Sequence, residues 1–293
     1  MFDFRYHVVS LAAVFVALVI GILVGIGLSG RGLIDDAERE NLNQQIAELR
    51  SQRDQAREQA SAEGRRQTAM DDFAAGTYPA LVSGRLAGKN VAVLFVGPVD
   101  RSADALAEAV DDAGGRVARL RSIRVPLDRE AVTDALAANR QLQARYDERR
   151  ELDDLGRDLA RELVVGGKTP LWDALSDVLL EEREGSSTAP ADAVVVARSV
   201  APQRGVTKEF LFGLYRGLAR AGVPAVGVQL AAPDKSAIPA FARNGLSTVD
   251  NIDTGVGKLG LVLLLAGPAR GHYGVEETAT DGVLPPLTPV VGG

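Results

Sequence analysis

The sequence predicts an α/β protein with an N-terminal transmembrane helix, a coiled-coil helix and then a doubly wound, mostly parallel sheet domain. Three patterns predict it: an uncharged apolar run, a heptad-like run, and an alternation of short apolar segments with helical ones. We expect the chain to divide into an N-terminal tail (1–7), a transmembrane anchor (8–29), a coiled-coil stalk (30–72), a linker (73–89), an α/β domain (90–269) and a Gly/Pro-rich C-terminal tail (270–293).

The composition excludes several classes of function. The chain has no cysteine, which rules out disulfides, thiolate nucleophiles and cysteine metal sites. The other soft metal ligands are Met1, Met70, His7 and His272, too few within one chain to form an ordinary copper site. A net charge of -6 argues against nucleic acid as a partner. We therefore expect neither a metal site nor a cofactor.

Residues 8–28 form a run of apolar and small side chains without charge, long enough to cross a bilayer core. An uncleaved anchor is favoured over a signal peptide, because Asp3 offsets Arg5 and no A-x-A cleavage site follows. Arg5 and Arg31 flank the run, so charge alone does not fix the orientation. The short N-terminal tail and large C-terminal part favour a single-pass cell-membrane protein with its bulk outside the cytoplasm.

Small side chains recur every four residues along this run. They form a stripe of Ala13, Ala17, Gly21, Gly25 and Ser29. Such a stripe lets two membrane helices approach closely, which predicts a homodimer. The alternative is that alanine and glycine are simply common in membrane helices.

The next segment, 33–70, is rich in helix formers and contains no proline. Apolar residues fall on alternating four- and three-residue steps, at Leu42, Ile46, Leu49, Ala56, Ala60 and Met70. The first four form the predicted seam of a parallel coiled coil. Arg53, Glu63 and Gln67 interrupt the apolar pattern, so we expect the second half to be weak or partly splayed. A single solvated helix is the alternative, but it would expose the apolar stripe. We expect Gly76 and Pro79 to end this helix.

From residue 90 onward, strand and helix patterns alternate. Apolar runs predict strands at 90–97, 116–127, 194–196, 223–230 and 246–253, and helices at 102–115, 128–165, 208–222 and 254–267. Strands joined by helices imply a parallel sheet covered on both faces. Within 128–165, Leu152, Leu155, Leu159 and Leu163 form an apolar stripe under a charged face. This helix could be merely solvated, pack beside the stalk, or receive a partner's helix.

Ligands of doubly wound domains bind at the carboxyl ends of the strands, here the loops 96–100, 197–205 and 229–236. No loop carries a dinucleotide or P-loop glycine motif. Asp100 and Asp234 are the carboxylates at strand ends, and we interpret both as surface or helix-capping residues. Ser199 and Ser236 have no histidine at a spacing that indicates a triad. The sequence therefore predicts no catalytic residues and no enzyme.

Two further motifs have structural interpretations. Asp250 and Asp253 resemble a fragment of a calcium loop but lack its glycine and distal glutamate, so we expect them to mark a helix entry. The segment GHYG at 271–274 contains His272, with Pro285, Pro286 and Pro289 keeping the exit extended. We interpret it as a packed turn that finishes the domain, with a partner-binding tail as the alternative.

Four segments carry a resemblance to a known family: the N-terminal MFDFRYHVVSLAAVFVALVIGILVG, SGRLAGKNVAVL, STVDNIDTGVGKLGLVLLLAG, and GHYG with the following LPPLTP. They resemble the actinobacterial copper transporter MctB family, to which the SteB proteins are similar. The resemblance spans nearly the whole chain. It implies an envelope protein that acts either in copper transport and homeostasis or in control of a peptidoglycan hydrolase during cell separation. It supplies no catalytic residues.

Two functions from different classes follow. The first is a membrane-tethered dimeric adaptor that binds an envelope protein, such as a peptidoglycan hydrolase or its regulator. The anchor stripe, the coiled coil and a head without a catalytic motif favour it. The second is copper efflux, which the family name implies. One membrane helix and few copper ligands argue against direct conduction, so copper would depend on an oligomer or on an indirect effect on envelope permeability.

Overall fold

The computed structural model describes residues 4–28, 33–146, 152–185, 188–231 and 233–287. The chain forms two compact units, Met1–Met70 and Asp71–Gly293. Ser29 of the small-residue stripe and Pro289 of the predicted tail lie outside the described residues.

The first unit contains α1 (Phe4–Leu28) and most of α2 (Leu33–Val82). Within α1, His7–Gly27 is long and apolar enough to cross a membrane, which fits a single-pass membrane protein. The helix α2 is continuous over 50 residues.

The expected end of α2 at Gly76 and Pro79 is wrong, because the helix continues to Val82. A proline so near the helix end removes only one backbone hydrogen bond. Val82 is fully buried, and Tyr78 and Leu81 pack against the same core. Burial of these side chains offsets the lost bond, so the predicted linker begins inside a helix.

The second unit contains a seven-stranded sheet and the remaining helices. The strands are β1 (Asn90–Val96), β2 (Arg116–Ile123), β3 (Leu180–Gly185), β4 (Ala193–Arg198), β5 (Ala225–Val228), β6 (Ser247–Val249) and β7 (His272–Tyr273). The helices are α3 (Ser102–Asp112), α4 (Arg129–Ala137), α5 (Arg140–Arg145), α6 (Leu152–Val165), α7 (Pro170–Ala174), α8 (Ser176–Leu179), α9 (Gly205–Ala219), α10 (Ile238–Arg243) and α11 (Gly255–Ala266).

The sheet order is β3-β2-β1-β4-β5-β6-β7, and every pairing is parallel except the antiparallel pairing of β3 with β2. This confirms the predicted α/β class with a mostly parallel sheet. The sequence did not predict β3, because only its first residue, Leu180, is buried and the rest is exposed and charged apart from the final glycine. The sequence also predicted that the α/β domain ends at residue 269, whereas β7, which follows that residue, still belongs to the sheet.

The central strands β1 and β4 are buried on both faces, as the doubly wound arrangement requires. Along β1, Leu94 and Val96 belong to one core, while Val93 and Phe95 belong to the other. Helices α6 and α9 contribute to the first core and α3 and α11 to the second. The helix α11 is buried over most of its length, as its apolar sequence predicts.

The apolar stripe of α6 packs inside the domain. Leu155, Leu159 and Leu163 are buried, and α6 lies directly on α9. Glycine allows the two helices to pack closely, since a Cβ at Gly213 would overlap the backbone of Asp153. The stripe is therefore filled within the domain and is not open to a partner's helix.

The close contact of α6 with α9 predicts that Gly213→Ala destabilises the domain. The added methyl would lie 2.6 Å from Asp153 Cα, so the helices must separate, at a cost of roughly 1–3 kcal/mol or more in unfolding free energy. Denaturant unfolding of the full chain, followed by fluorescence of its single tryptophan, the buried Trp172, measures the change.

The matched control is Gly76→Ala, also within a helix, where an added Cβ meets nothing within 4 Å. It should leave the unfolding free energy unchanged or raise it by up to about 1 kcal/mol. Equal stability of the two variants would contradict the proposed role of the contact.

Candidate functional site

A cleft opens at the carboxyl ends of β1, β4 and β5. Chain connections leave β1 for β2 on one side and β4 for β5 on the other, so the strand order reverses between β1 and β4. At such switch points doubly wound folds bind ligands. The cleft has a volume of about 450 Å³ and is lined by residues 100–102, 197–201, 228–231, 233–235 and 237. The structure thus brings together the three loops that the sequence singled out.

Asp100 stabilises the start of α3. Its Oδ1 accepts hydrogen bonds from the Ser102 amide at 2.9 Å and the Ser102 hydroxyl at 2.5 Å. A carboxylate thus already lies at the helix end where dinucleotide folds place a phosphate. This agrees with the predicted capping role. Asp234 lies exposed on the rim of the cleft.

The polar side chains on the cleft floor are bound to the backbone. The Ser199 hydroxyl donates to the Pro98 carbonyl at 2.6 Å. The Gln229 Oε1 accepts from the Ser236 hydroxyl at 2.8 Å and from the Ala237 amide at 3.0 Å. The bond of Ser199 joins the loops after β4 and β1, and the bonds of Gln229 hold the loop between β5 and α10, so both serines have a structural role.

Arg198, the last residue of β4, links two sides of the cleft. Its Nη2 donates to the carbonyls of Lys235 at 3.2 Å and Ser236 at 3.0 Å, while its buried Nε has no acceptor among the described residues. Burial lowers the pKa of this guanidinium, and Tyr215 acts in the opposite direction. Sequence reasoning did not single out this residue, although a cation directly after the apolar run VVVA was a signal for it.

The motif around His272 is part of the sheet edge. His272 Nδ1 lies 3.0 Å from Thr248 Oγ1, and its backbone amide donates to Asp281 Oδ2 at 2.8 Å. Tyr273 continues β7, and Gly274 follows with a φ of +143° and no room for a Cβ beside Asp250. His272 is thus on a short packed strand and turn, away from the cleft serines.

Asp250 and Asp253 directly precede α11, as expected for a helix entry, but neither side chain caps that helix. Thr254 caps α11 by accepting from the Gly257 amide at 3.1 Å. The buried Asp250 instead accepts from the amides of Val275 and Glu276, which fixes the turn after β7. Asp253 accepts from the Ala231 amide at 2.9 Å. Both carboxylates connect loops that are distant in sequence, which the local motif could not reveal.

The predicted association residues lie on the two long helices. On α1, Ala13, Ala17, Gly21 and Gly25 are exposed on one helical stripe, and a Cβ at either glycine meets nothing within 4 Å. On α2, the seam residues Leu42, Ile46, Leu49 and Ala56 are likewise exposed. Within the part of the chain that the structure describes, no three or more His, Cys, Asp or Glu side chains form a group that could hold a metal ion.

The regions of the chain that match known proteins include the helices and strands described above. A family model described as "Copper transport outer membrane protein, MctB" matches residues 1–284, from the N-terminus through the turn after β7. The chain belongs to the MctB family. Relatives named Copper transporter MctB, from Mycobacterium bovis and Mycobacterium tuberculosis, are 29% identical over 322 residues, which covers 95% of this chain and 98% of theirs.

The MctB-family match includes the anchor, α2 and all seven strands. Three of the segments that carried the sequence resemblance lie within residues 1–267 and GHYG contains β7, whereas the match ends at residue 284, the first residue of LPPLTP. The family description and the names of these relatives concern copper transport, and the match extends over the N-terminal helix as well as the head.

The cleft geometry predicts that Gln229→Ala loosens the loop between β5 and α10. The Ala237 amide and the Ser236 hydroxyl lose their common acceptor. We expect hydrogen exchange at the Ala237 amide to accelerate by about fivefold to tenfold, the effect of one lost hydrogen bond. Exchange mass spectrometry of the full chain measures it.

Gln203→Ala is the control, because among the described residues the Gln203 side chain bonds only the nearby Ala201 carbonyl. It should leave exchange at Ala237 unchanged. Unaltered exchange in Gln229→Ala as well would refute the role of Gln229.

Proposed function

We propose that this MctB-family protein is a membrane-anchored homodimeric adaptor of the cell envelope. Two chains pair along α1 and the N-terminal half of α2, with the α/β domains outside the cytoplasm. Each head binds a second envelope protein, a peptidoglycan hydrolase or its regulator, in envelope maintenance or cell separation. The protein acts by binding and catalyses no reaction itself.

The apolar seam of α2 carries this proposal. Leu42, Ile46 and Leu49 are 56%, 44% and 64% exposed on a helix whose average character is hydrophilic. They repeat with the four- and three-residue steps of a coiled coil. A second copy of α2 would bury this seam, and burial of one leucine contributes roughly 1.5–3 kcal/mol.

The stripe on α1 supports pairing of the same two chains. In a bilayer, apolar side chains already contact lipid, so close backbone approach across small residues stabilises helix pairs. Both Gly21 and Gly25 leave that approach open. The two pairing surfaces lie on successive helices, so one dimer can use both.

The head supports a binding role. Its cleft residues Asp100, Ser199 and Gln229 all bond to neighbouring backbone or side chains in ways that shape loops. Their positions fix the surface of the cleft, which suits recognition of a partner.

Copper homeostasis is the second candidate function, and the family description and the names of the mycobacterial relatives favour it. In this case the dimer would act on copper as part of a larger oligomer or through envelope permeability. The two functions predict different phenotypes.

The proposed seam predicts cross-linking at Leu49. The chain contains no cysteine, so a single Leu49→Cys variant carries one thiol per chain. Facing seam positions of a parallel pair approach the Cα separation of about 6 Å that a disulfide spans. We expect mild oxidation of native membranes to convert most Leu49→Cys chains to covalent dimers on non-reducing gels.

Ser51→Cys is the matched control, because Ser51 is exposed on α2 but outside the seam. It should remain largely monomeric under the same oxidation. Comparable cross-linking of both variants would indicate random collision, and absence of cross-linking at Leu49 would exclude this dimer.

A deletion strain distinguishes the two functions. The adaptor function predicts chained, unseparated cells with normal copper tolerance. Restoration should succeed with wild-type protein and with Ser51→Glu, and fail with Leu42→Glu/Leu49→Glu, since charges in the seam prevent pairing. Copper sensitivity with normal septation would instead establish the second function and overturn the adaptor.

A further inference from the structure

A second cavity, here called the basic pocket, lies next to the strand-end cleft and shares Arg198 and Lys235 with it. Its volume is about 420 Å³. Five cationic side chains line it: Arg198, Arg204, Lys208, Lys235 and Arg243. The described residues that line it include no carboxylate, although the whole chain carries a net charge of -6. The basic pocket is thus positively charged although the protein as a whole carries a negative net charge.

These cations are not neutralised by the protein. Among the described residues, none of the five forms an ion pair. Arg198 donates only to two backbone carbonyls, and its buried Nε has no partner in the described part of the chain. Like charges around one cavity repel, and partial burial weakens the screening by water. A bound anion would relieve that repulsion.

The N-terminus of α9 contributes to the same cavity. This helix of 15 residues begins at Gly205, and the preceding Arg204 provides no side-chain cap. Within the described residues, the Gly205 and Val206 amides donate to no acceptor. Gly205 lines the basic pocket, so the positive end of the helix dipole lies at the space that Arg204 and Lys208 flank.

Most of the remaining wall of the basic pocket is apolar. Leu211, Phe212 and Tyr215, all on α9, contribute to it. Lys208 Nζ lies 5.2 Å from the centre of the Phe212 ring, so the ammonium group is held beside the cavity by a cation–π contact. A ligand that fits this wall carries a short uncharged body next to its charged group.

We propose that the basic pocket binds a phosphate-bearing ligand. A phosphate presents several oxygens and up to two negative charges, which match free helix N–H groups together with arginine and lysine donors. The phosphate is bound by Arg204, Lys208 and the first turn of α9. Arg198 and Lys235 supply further positive charge. Phe212 contacts the uncharged part of the ligand next to the phosphate. This site is independent of the proposed dimer and adaptor role.

A soluble phosphate compound and a lipid headgroup share this chemistry. Two water-soluble probes distinguish them: inorganic pyrophosphate for the former, and glycerophosphoglycerol, the phosphodiester headgroup of phosphatidylglycerol, for the latter. Calorimetric titration of the full-length chain in phosphatidylcholine nanodiscs measures both. Saturable binding of either probe is expected, and the tighter one identifies the source of the phosphate.

The decisive variant is Arg204→Gln/Lys208→Gln, which removes two exposed charges without altering the core. We expect binding of the preferred probe to weaken by about tenfold or more, the effect of losing charge-assisted hydrogen bonds. Arg220→Gln/Lys168→Gln is the charge-matched control, since both residues are exposed, unpaired among described residues and outside the basic pocket. It should bind as the wild type does.

Fluorescence of Trp172 verifies that both variants remain folded. Absence of saturable binding by both probes in the wild type would overturn the proposal. An equal loss of affinity in the control would overturn it as well, because the binding would then follow overall charge and not the basic pocket.

Discussion

Burial of β1 and β4 on both faces is the constraint on which the rest of the head depends. Neither Leu94 nor Phe95 can face water, so helices must cover both sides of the sheet. Chain connections therefore leave the centre in opposite directions, and the loops at the carboxyl ends diverge between β1 and β4. The strand-end cleft and the position of α9 beside it both follow from that arrangement.

Local sequence patterns predicted the buried strands and α11, since uninterrupted apolar runs leave few other structures. They did not predict β3, whose stability comes from pairing with β2, or the continuation of α2 through Pro79, which tertiary packing supports. The loops of the cleft were predictable from the rule for doubly wound folds. The basic pocket was not, because Arg198, Lys208 and Arg243 become neighbours only through the crossover connections of the fold.

Membership of the MctB family and the exposed surfaces of the two long helices concern different aspects of function. The family description concerns copper, whereas the exposed seam and the small-residue stripe concern assembly. The proposed dimer is compatible with either process. The two cavities of the head lie on α9 and at the strand ends rather than on the long helices.

The two edge strands of the sheet affect whether the sheets of neighbouring copies of this protein can pair with each other. At one edge, β3 presents the exposed charged residues Glu181, Glu182, Arg183 and Glu184. At the other, β7 has only two residues, His272 and Tyr273. Charged or very short edge strands resist fusion with a second sheet. The domains of neighbouring copies are therefore expected to stay separately folded instead of joining into one extended sheet.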